Sequence, residues 1–258
     1  MNYADPVELR KIRTAEGLEV TKKRAVVNVE TNQVIGVVSP RYKLIHNTEL
    51  LNVIRPVLEE LKINSEPSIN MTCGGAVTFF KFLGDKISEE VKKGDIVRFG
   101  VEFFNSYDGS MPVGFHIIAE RLVCTNGLVA PKSITEISIR HTSSASTAEI
   151  RNRLQDFFPK VTSTVKMWQL WADYHPDEAH IERFITRAPI GMKLGRELLN
   201  RYQNLEPNQQ TLWEFYNILT YYITHQIKVR KEELRGARQF HMNESLTNRL
   251  ANAFEGAS

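Results

Sequence analysis

The clearest pattern in the chain is a two-residue alternation of apolar and polar side chains between Asp95 and Asn126. This period is typical of strands that are buried on one face only. The apolar positions are Val97, Phe99, Val101 and Phe103 on the first strand and Val113, Phe115 and Ile117 on the second. Between the strands, residues 105–110 are Asn-Ser-Tyr-Asp-Gly-Ser, side chains that favour a turn. The stretch therefore predicts an antiparallel hairpin with a polar tip.

Other segments of the N-terminal half predict that this hairpin belongs to a larger sheet. Strands are expected over residues 24–30 and 33–38, joined at Thr31-Asn32, over 67–83 with a turn at 73–75, and over 134–141. Residues 1–24 are charged and weakly periodic, so we expect an arm on the surface or on a neighbouring subunit. Residues 84–94 are expected to form a charged connection.

One helix is predicted between the strands, over residues 47–61. Its apolar stripe has helical spacing and consists of Leu50, Leu51, Ile54, Val57, Leu58 and Leu61. Asn47 is a suitable N-cap residue. Because Pro56 lies inside the stripe, we expect a kink or a split at that point.

At about residue 143 the periodicity becomes helical. Residues 146–149, Ser-Thr-Ala-Glu, match a capping box. Helices are predicted over 147–173 with a break or bend near Pro159, and over 176–187, 190–203, 208–235 and 243–254. The sequence thus predicts an α+β protein with two domains: a β-rich domain over 1–143, with strand, strand, helix and then an antiparallel hairpin sheet, and an all-helical domain over 144–258.

Composition indicates an ordinary globular protein. The chain has 258 residues, of which 42% are hydrophobic and 24% charged, and its net charge of +3 is too small to identify a nucleic-acid-binding protein. No run approaches the roughly 20 apolar residues of a membrane span, and the N-terminus lacks the apolar core of a secretory signal. With Cys73 and Cys124 as the two cysteines, we expect a reducing cytoplasm.

The sequence contains none of the usual catalytic or cofactor-binding signatures, such as a phosphate loop, a nucleophile elbow or a zinc spacing. Cys124 follows Arg121, but among aliphatic neighbours it is expected to be a small buried residue rather than a nucleophile. Glu102 and Glu120 are expected to form cross-strand salt bridges with Arg98 and Arg121. We therefore predict no cofactor and no catalytic residue.

Basic residues on the predicted sheet suggest a binding surface instead. Arg98, His116, Arg121, Arg140 and His141 fall on strands expected in one sheet. Basic side chains can follow a phosphate backbone, and aromatic rings can stack on exposed bases. The best-placed aromatic residue is Tyr107, at the hairpin tip. The alternative is an ordinary solvated sheet face.

Several segments resemble the phage- and plasmid-like family catalogued as domain of unknown function nine-hundred-thirty-two. The resemblance covers nearly the whole chain. Members of the family are often longer, so this chain resembles a compact version of them. It is carried by residues 35–42 (Ile-Gly-Val-Val-Ser-Pro-Arg-Tyr), 105–110, 121–128 (Arg-Leu-Val-Cys-Thr-Asn-Gly-Leu), Arg140-His141-Thr142, and 212–217 (Leu-Trp-Glu-Phe-Tyr-Asn) with Thr220.

The resemblance implies a role in the DNA metabolism of mobile elements. The order strand, strand, helix and hairpin is also similar to Rad-fifty-two-like single-strand annealing proteins, which form oligomeric rings with a basic groove; this is an analogy of fold alone. We therefore expect a cytoplasmic protein of a bacterial host that binds single-stranded DNA as a non-enzymatic annealing or recombination factor. A homo-oligomer, possibly a ring, is expected. The predicted contacts are Arg98, Arg121, Lys132, Arg140 and His141 with phosphates and Tyr107 with a base.

Two alternatives from other classes stay open at this stage. One is a metal-assisted nuclease that uses Asp108, His116 and His141 as ligands. The other is a structural or partner-binding protein in which the helical half mediates assembly.

Overall fold

The computed structural model describes residues 2–122, 126–129, 137–142, 147–228 and 235–254. It is an α+β fold, as predicted, in which strands fill most of the N-terminal half and helices the C-terminal half. Within the described residues, the helices are too short or too polar to cross a membrane. Cys124, Lys132 and the capping serine Ser146 lie outside the described residues.

A three-stranded antiparallel sheet opens the chain. It consists of β1 (Val7–Arg13), β2 (Glu19–Asn28) and β3 (Val34–Val38), in the order β1-β2-β3. The predicted hairpin around Thr31-Asn32 is confirmed as β2 and β3, with Val26 opposite Gly36. The segment expected as a charged arm on the surface contains a strand that the sequence did not predict, since Val7–Arg13 pairs with β2, with Val7 opposite Asn28 and Arg13 opposite Glu19. Exposed charged side chains hide the alternation of β1 and of the start of β2 in the sequence.

The second sheet contains the predicted hairpin. Its strands run in the order β4-β5-β6-β7-β8, and β9 pairs with β7 on the same edge as β8. Their bounds are β4 (Ser68–Thr72), β5 (Val77–Lys92), β6 (Asp95–Ser106), β7 (Val113–Arg121), β8 (Asn126–Val129) and β9 (Ile137–Ile139). All of its pairings are antiparallel. A short 3₁₀ turn, Cys73–Gly75, connects β4 to β5 as expected.

The charged connection predicted over 84–94 is instead the second half of β5. Ser88 to Lys92 pair with Arg98 to Asp95, after a register shift between Leu83 and Ser88. Cross-strand hydrogen bonds hold this polar segment extended, and such pairing has no signature in local hydrophobicity.

The helix α1 spans Asn47–Glu60 and is not split at Pro56. Its N-cap is His46 and not Asn47, so that part of the prediction is wrong. The Asn47 side chain is used elsewhere: its Nδ2 donates to the carbonyl of Tyr3 and to Thr78 Oγ1, both at 3.2 Å.

The C-terminal half is helical as predicted, although several helix boundaries differ from the predicted ones. The helices are α2 (Thr147–Leu154), α3 (Phe157–Asp173), α4 (Glu178–Arg187), α5 (Met192–Gln203), α6 (Leu212–Tyr221) and α7 (Arg235–Ala253). The expected break near Pro159 lies at residues 155–156, and Pro159 lies in the first turn of α3, where proline is tolerated. The long helix predicted over 208–235 ends instead in a π-helical turn, Tyr222–Gln226.

One hydrophobic core joins the two halves of the chain. The apolar residues of β6 and β7 face α3 and α6, and Phe99 stacks on Trp168 of α3 with ring centroids 5.6 Å apart. Trp168 in turn lies 5.3 Å from Trp213 of α6. The predicted boundary at 143/144 therefore separates strands from helices, but the two parts share their core.

The last helix lies against the other parts of the large sheet. α7 contacts β4 and β8 as well as α6. Near its start, Gln239 donates through Nε2 to the carbonyls of Ile223 and Thr224, at 3.1 and 2.9 Å. As a result, the sheet face opposite the core is not the open surface expected from the sequence.

The small sheet covers the tip of the β6–β7 hairpin. Gly36 of β3 crosses so close to the tip that a Cβ atom there would lie 2.5 Å from the Tyr107 carbonyl oxygen and 2.6 Å from Asp108 Cα. These distances are shorter than any normal contact with a Cβ atom. Glycine at position 36 is thus required by the approach of two backbones.

We predict that Gly36→Ala lowers the free energy of unfolding by about 1–3 kcal/mol, because the backbone of the tip must move to admit the methyl group. Gly127→Ala is the matched control: it also lies in a strand, but its Cβ would meet only Thr224 Oγ1 at 3.5 Å. The control should change stability by less than about 0.5 kcal/mol. Urea unfolding followed by circular dichroism measures both, and equal effects would contradict the proposed close approach.

Candidate functional site

Arg121, at the end of β7, is the centre of a buried ion-pair network. Its Nε and Nη2 donate to the two oxygens of Asp95, each at 2.7 Å. Nη1 and Nη2 also donate to Glu214 of α6, at 3.4 and 3.3 Å. Lys92 Nζ donates to the same glutamate at 2.5 Å, and Trp213 Nε1 donates to Asp95 Oδ2 at 2.8 Å. The network holds the hairpin base to the first turn of α6.

This network corrects the role predicted for Arg121. The strand register places Val97 opposite Arg121, so Arg121 lies on the core face of the sheet and not on the polar face. Its side chain is 11% exposed and already binds two carboxylates. A buried guanidinium committed in this way is a structural residue, not a phosphate contact.

The role predicted for Tyr107 is also wrong. The residue is 1% exposed and packs with Val26, Val38 and Tyr42 beneath the small sheet. Its hydroxyl accepts a hydrogen bond from the Asn47 backbone N–H at 3.0 Å, and burial raises its pKa to about 12. No face of the ring is available for a base to stack on.

Of the remaining predicted contacts that the structure describes, Arg98 and His141 have partners within the protein. Arg98 lies opposite Glu120 and forms the cross-strand salt bridge that we expected, at 2.5 Å. Arg140 is exposed. His141 is buried, stacks on Tyr42 with centroids 4.6 Å apart, and bonds through Nδ1 to the carbonyl oxygen of Lys43 at 3.0 Å. Burial lowers the pKa of His141, although the hydrogen bond to Lys43 acts in the opposite direction.

The ligands of the alternative metal site are not brought together. Within the described residues, no three histidine, cysteine or acidic side chains gather as a metal site would require. Asp108 accepts from the Ser110 backbone N–H at 2.9 Å within the turn. His116 Nε2 lies 3.4 Å from Glu244 Oε1 on α7, and His141 packs on Tyr42. Each side chain has a separate local role.

A group of arginines that the sequence did not single out lines a pocket of about 360 Å³ between α4 and α7. Arg183 and Arg187 lie one turn apart on α4, and Arg249 comes from α7. Among the described residues, none of the three forms a salt bridge with a carboxylate; Arg249 Nη1 donates to the Arg187 carbonyl at 3.3 Å. We call this the arginine pocket.

The floor of the arginine pocket is apolar and its rim carries a histidine. Phe184 and Phe254 are both 6% exposed and form the floor. The His180 ring packs against Phe254 with centroids 6.3 Å apart, and its Nδ1 lies 2.8 Å from Asp177 Oδ2. The helical spacing of Arg183 and Arg187 could have been noticed in the sequence, whereas Arg249 joins them only through tertiary packing.

A second cavity, of about 210 Å³, lies between the large sheet and α7. We call it the polar cleft: Lys81, Glu102 and Asn243 supply its polar groups, and Phe79, Ile118 and Leu128 supply apolar walls. Burial raises the pKa of Glu102 to about 7, although the charge of Lys81 acts in the opposite direction. A half-buried acid with such a pKa is a common mark of a functional cavity.

These features define an α+β protein with a closed structural network at the hairpin base and two open cavities beside α7. The chain belongs to the family described as Domain of unknown function (DUF932), whose model matches residues 34–247. No curated protein and no solved structure matches the chain. Most segments that carried the family resemblance lie in the Arg121 network or around the covered hairpin tip.

We predict that Arg121→Gln destabilises the protein by about 3–5 kcal/mol, because it leaves Asp95 and Glu214 buried without their guanidinium partner. The control is Arg98→Gln, which removes a partly exposed salt bridge on the same hairpin and should cost about 1 kcal/mol or less. Chemical denaturation at neutral pH measures both variants. Similar losses would mean that the Arg121 network is not the dominant ionic contact.

We also predict a pH-dependent effect of Glu102→Gln. The ordinary pKa of a glutamate is 4.5, whereas that of folded Glu102 is about 7, so the folded state binds more protons between these values. The free energy of unfolding of the wild type therefore falls as pH rises through this window. Glutamine does not titrate, so the variant lacks this decrease. The stability of Glu102→Gln relative to wild type should rise by roughly 1–3 kcal/mol between pH 4.5 and 7.5. Urea unfolding across this range tests it, with the exposed Glu89→Gln as the control that should change less.

Proposed function

We propose that the protein binds single-stranded DNA without enzymatic turnover, and that the arginine pocket is the centre of the interface. The observation that carries the proposal is the convergence of Arg183, Arg187 and Arg249 on one solvent-accessible pocket, where none of the three forms a salt bridge with a carboxylate among the described residues. Guanidinium groups that are not neutralised by protein carboxylates are well suited to phosphate oxygens, which they bind through two parallel hydrogen bonds.

The surroundings of the pocket favour a nucleic acid over a simple anion. The apolar floor formed by Phe184 and Phe254 suits the sugar or base of a nucleotide. The half-exposed His180 ring at the rim offers a face on which an unpaired base can stack, the role predicted for Tyr107. A single strand presents phosphates and exposed bases together, which matches this mixture of groups.

A second basic surface supports contact with an extended strand. The β1–β2 ribbon carries exposed Arg13, Lys22 and Lys23, at the end of the sheet beyond the β2–β3 pairing. Basic residues on such a ribbon add sequence-independent attraction to a phosphate backbone. Arg140 is a further exposed cation.

The role in DNA annealing or recombination, in the bacterial host of a phage or plasmid, belongs to the same proposal. It rests on the family resemblance and on the predicted order of strand, strand, helix and hairpin, whose similarity to Rad-fifty-two-like proteins is an analogy of fold alone. A homo-oligomer, possibly a ring, would fit the exposed valines of the small sheet, Val34 and Val37, which are 61% and 48% exposed. Light scattering and an annealing assay with complementary labelled strands examine these two points.

We predict that replacing Arg183, Arg187 and Arg249 together by glutamine weakens binding of a fluorescein-labelled oligonucleotide at least tenfold. Each phosphate neutralised on a single strand contributes about 0.7 to the slope of log K against log salt concentration. Loss of three contacts should therefore reduce that slope by roughly 2. Fluorescence anisotropy at several salt concentrations measures both quantities.

The matched control replaces Arg41, Arg151 and Arg196 by glutamine. These arginines are exposed and lie outside the arginine pocket, so the control removes the same net charge. It should keep most of the affinity and most of the salt slope. If the two triple variants lose affinity equally, binding depends on the net charge of the protein and not on the arginine pocket. If the wild type does not bind the oligonucleotide at low salt, the proposed function is refuted.

A further inference from the structure

The polar cleft lies on the sheet face opposite the core and has a defined donor and acceptor pattern. The strand register aligns Lys81, Glu102 and His116 in one row across β5, β6 and β7. His116 at the end of the row is paired with Glu244 of α7. Lys81 and Glu102 line the cleft, and within the described part of the chain neither forms a hydrogen bond or a salt bridge.

Asn243 adds a second acceptor from the α7 side. The residue is 8% exposed, and its Nδ2 donates to the Gly127 carbonyl at 3.4 Å. Its Oδ1 is buried and accepts no hydrogen bond from the described residues. A buried acceptor left without a donor costs free energy, so it calls for a partner that the described residues do not supply.

The cleft thus offers two acceptors, on Glu102 and Asn243, and one cationic donor, on Lys81. Its walls at Phe79, Ile118 and Leu128 are apolar, as the faces of a planar ring require. The volume of about 210 Å³ lies below the roughly 300–1,000 Å³ of sites for drug-sized ligands, so a single ring system fits and a whole nucleotide does not. Ser68 and Asn70 at the β4 edge are exposed and give access from solvent.

We infer that the polar cleft binds a guanine base. Guanine presents two adjacent N–H donors, at N1 and N2, beside the acceptor O6 on one edge, which complements two acceptors and one cationic donor. The matching edges of adenine, cytosine and thymine each offer a single donor group. Glu102 and Asn243 accept from the two donors of guanine, and Lys81 donates to O6.

The inference does not rest on binding of DNA through the arginine pocket, because a free nucleoside tests it directly. Isothermal titration of the full chain with guanosine, inosine, adenosine and cytidine provides the comparison. Inosine keeps O6 and N1–H but lacks the N2 amine, so we expect it to bind about tenfold more weakly than guanosine, and adenosine and cytidine to bind more weakly still.

Above the Glu102 pKa of about 7, Glu102→Gln replaces a charged acceptor by a neutral one and should weaken guanosine binding roughly 10–100-fold, since hydrogen bonds to a charged group are among the stronger ones. The substitution keeps the shape of the side chain and relieves the burial of a carboxylate, so the variant is expected to fold. Glu89→Gln, an exposed site on β5, is the control that should leave binding unchanged. Lys81→Met removes the donor to O6 at the other end of the guanine edge and should also weaken guanosine binding.

Two further measurements decide whether the guanine belongs to a nucleic-acid strand or to a free nucleoside. Oligonucleotides that contain guanine or hypoxanthine at one position are compared in wild type and in Glu102→Gln; a preference for guanine that disappears in the variant supports recognition within a strand. Guanosine binding without such a preference supports a free nucleoside as the ligand. Equal affinity for all four nucleosides, no binding at millimolar guanosine, or unchanged affinity in Glu102→Gln would overturn the inference.

Discussion

The two-pronged ion pair between Arg121 and Asp95 is the interaction on which the arrangement of the two halves depends. Three ionised groups, Arg121, Asp95 and Glu214, leave water where the sheet meets α6. Burial of charge is tolerated only when the hydrogen-bonding capacity of each group is filled. Trp213 donates a further hydrogen bond to Asp95, and Lys92 donates one to Glu214. Because hydrogen bonds are directional, these contacts fix how α6 is oriented on the sheet, which apolar contact alone would not do.

A second set of polar contacts fixes the hairpin tip in the same way. Tyr42 donates its hydroxyl to the Ser106 carbonyl at 2.5 Å, and Asn105 donates to the Ile45 carbonyl and to Asn47. These bonds tie the connector after β3 and the start of α1 to the tip, and Gly36 lets the small sheet close over it. Side chains that resemble a binding loop in the sequence are therefore used to hold three segments together.

Both candidate sites consequently lie next to α7, and among the residues that line them only Gly127 and Leu128, in the polar cleft, belong to the motif segments. Gln239 and Asn243, in its first half, line the polar cleft, and Arg249, in its last turns, reaches the arginine pocket. The motif segments make most of the polar contacts of the hairpin base and tip, whereas the last helix lines both cavities. Side chains with no shared motif gather at the two cavities because α7 packs beside both of them.

The sequence by itself determined the α+β class, the β6–β7 hairpin, helix α1 and most of the helical half, because these elements follow local periodicity. It also indicated the Arg98–Glu120 salt bridge, since direct cross-strand neighbours follow from the strand register. Only the tertiary structure decided that β1 and the end of β5 are strands, that Arg121 and Tyr107 are buried, and that Arg249 joins Arg183 and Arg187. Each of these outcomes depends on contacts between segments far apart in the chain, and the alternation of side chains along one strand carries no information about what will cover its polar face.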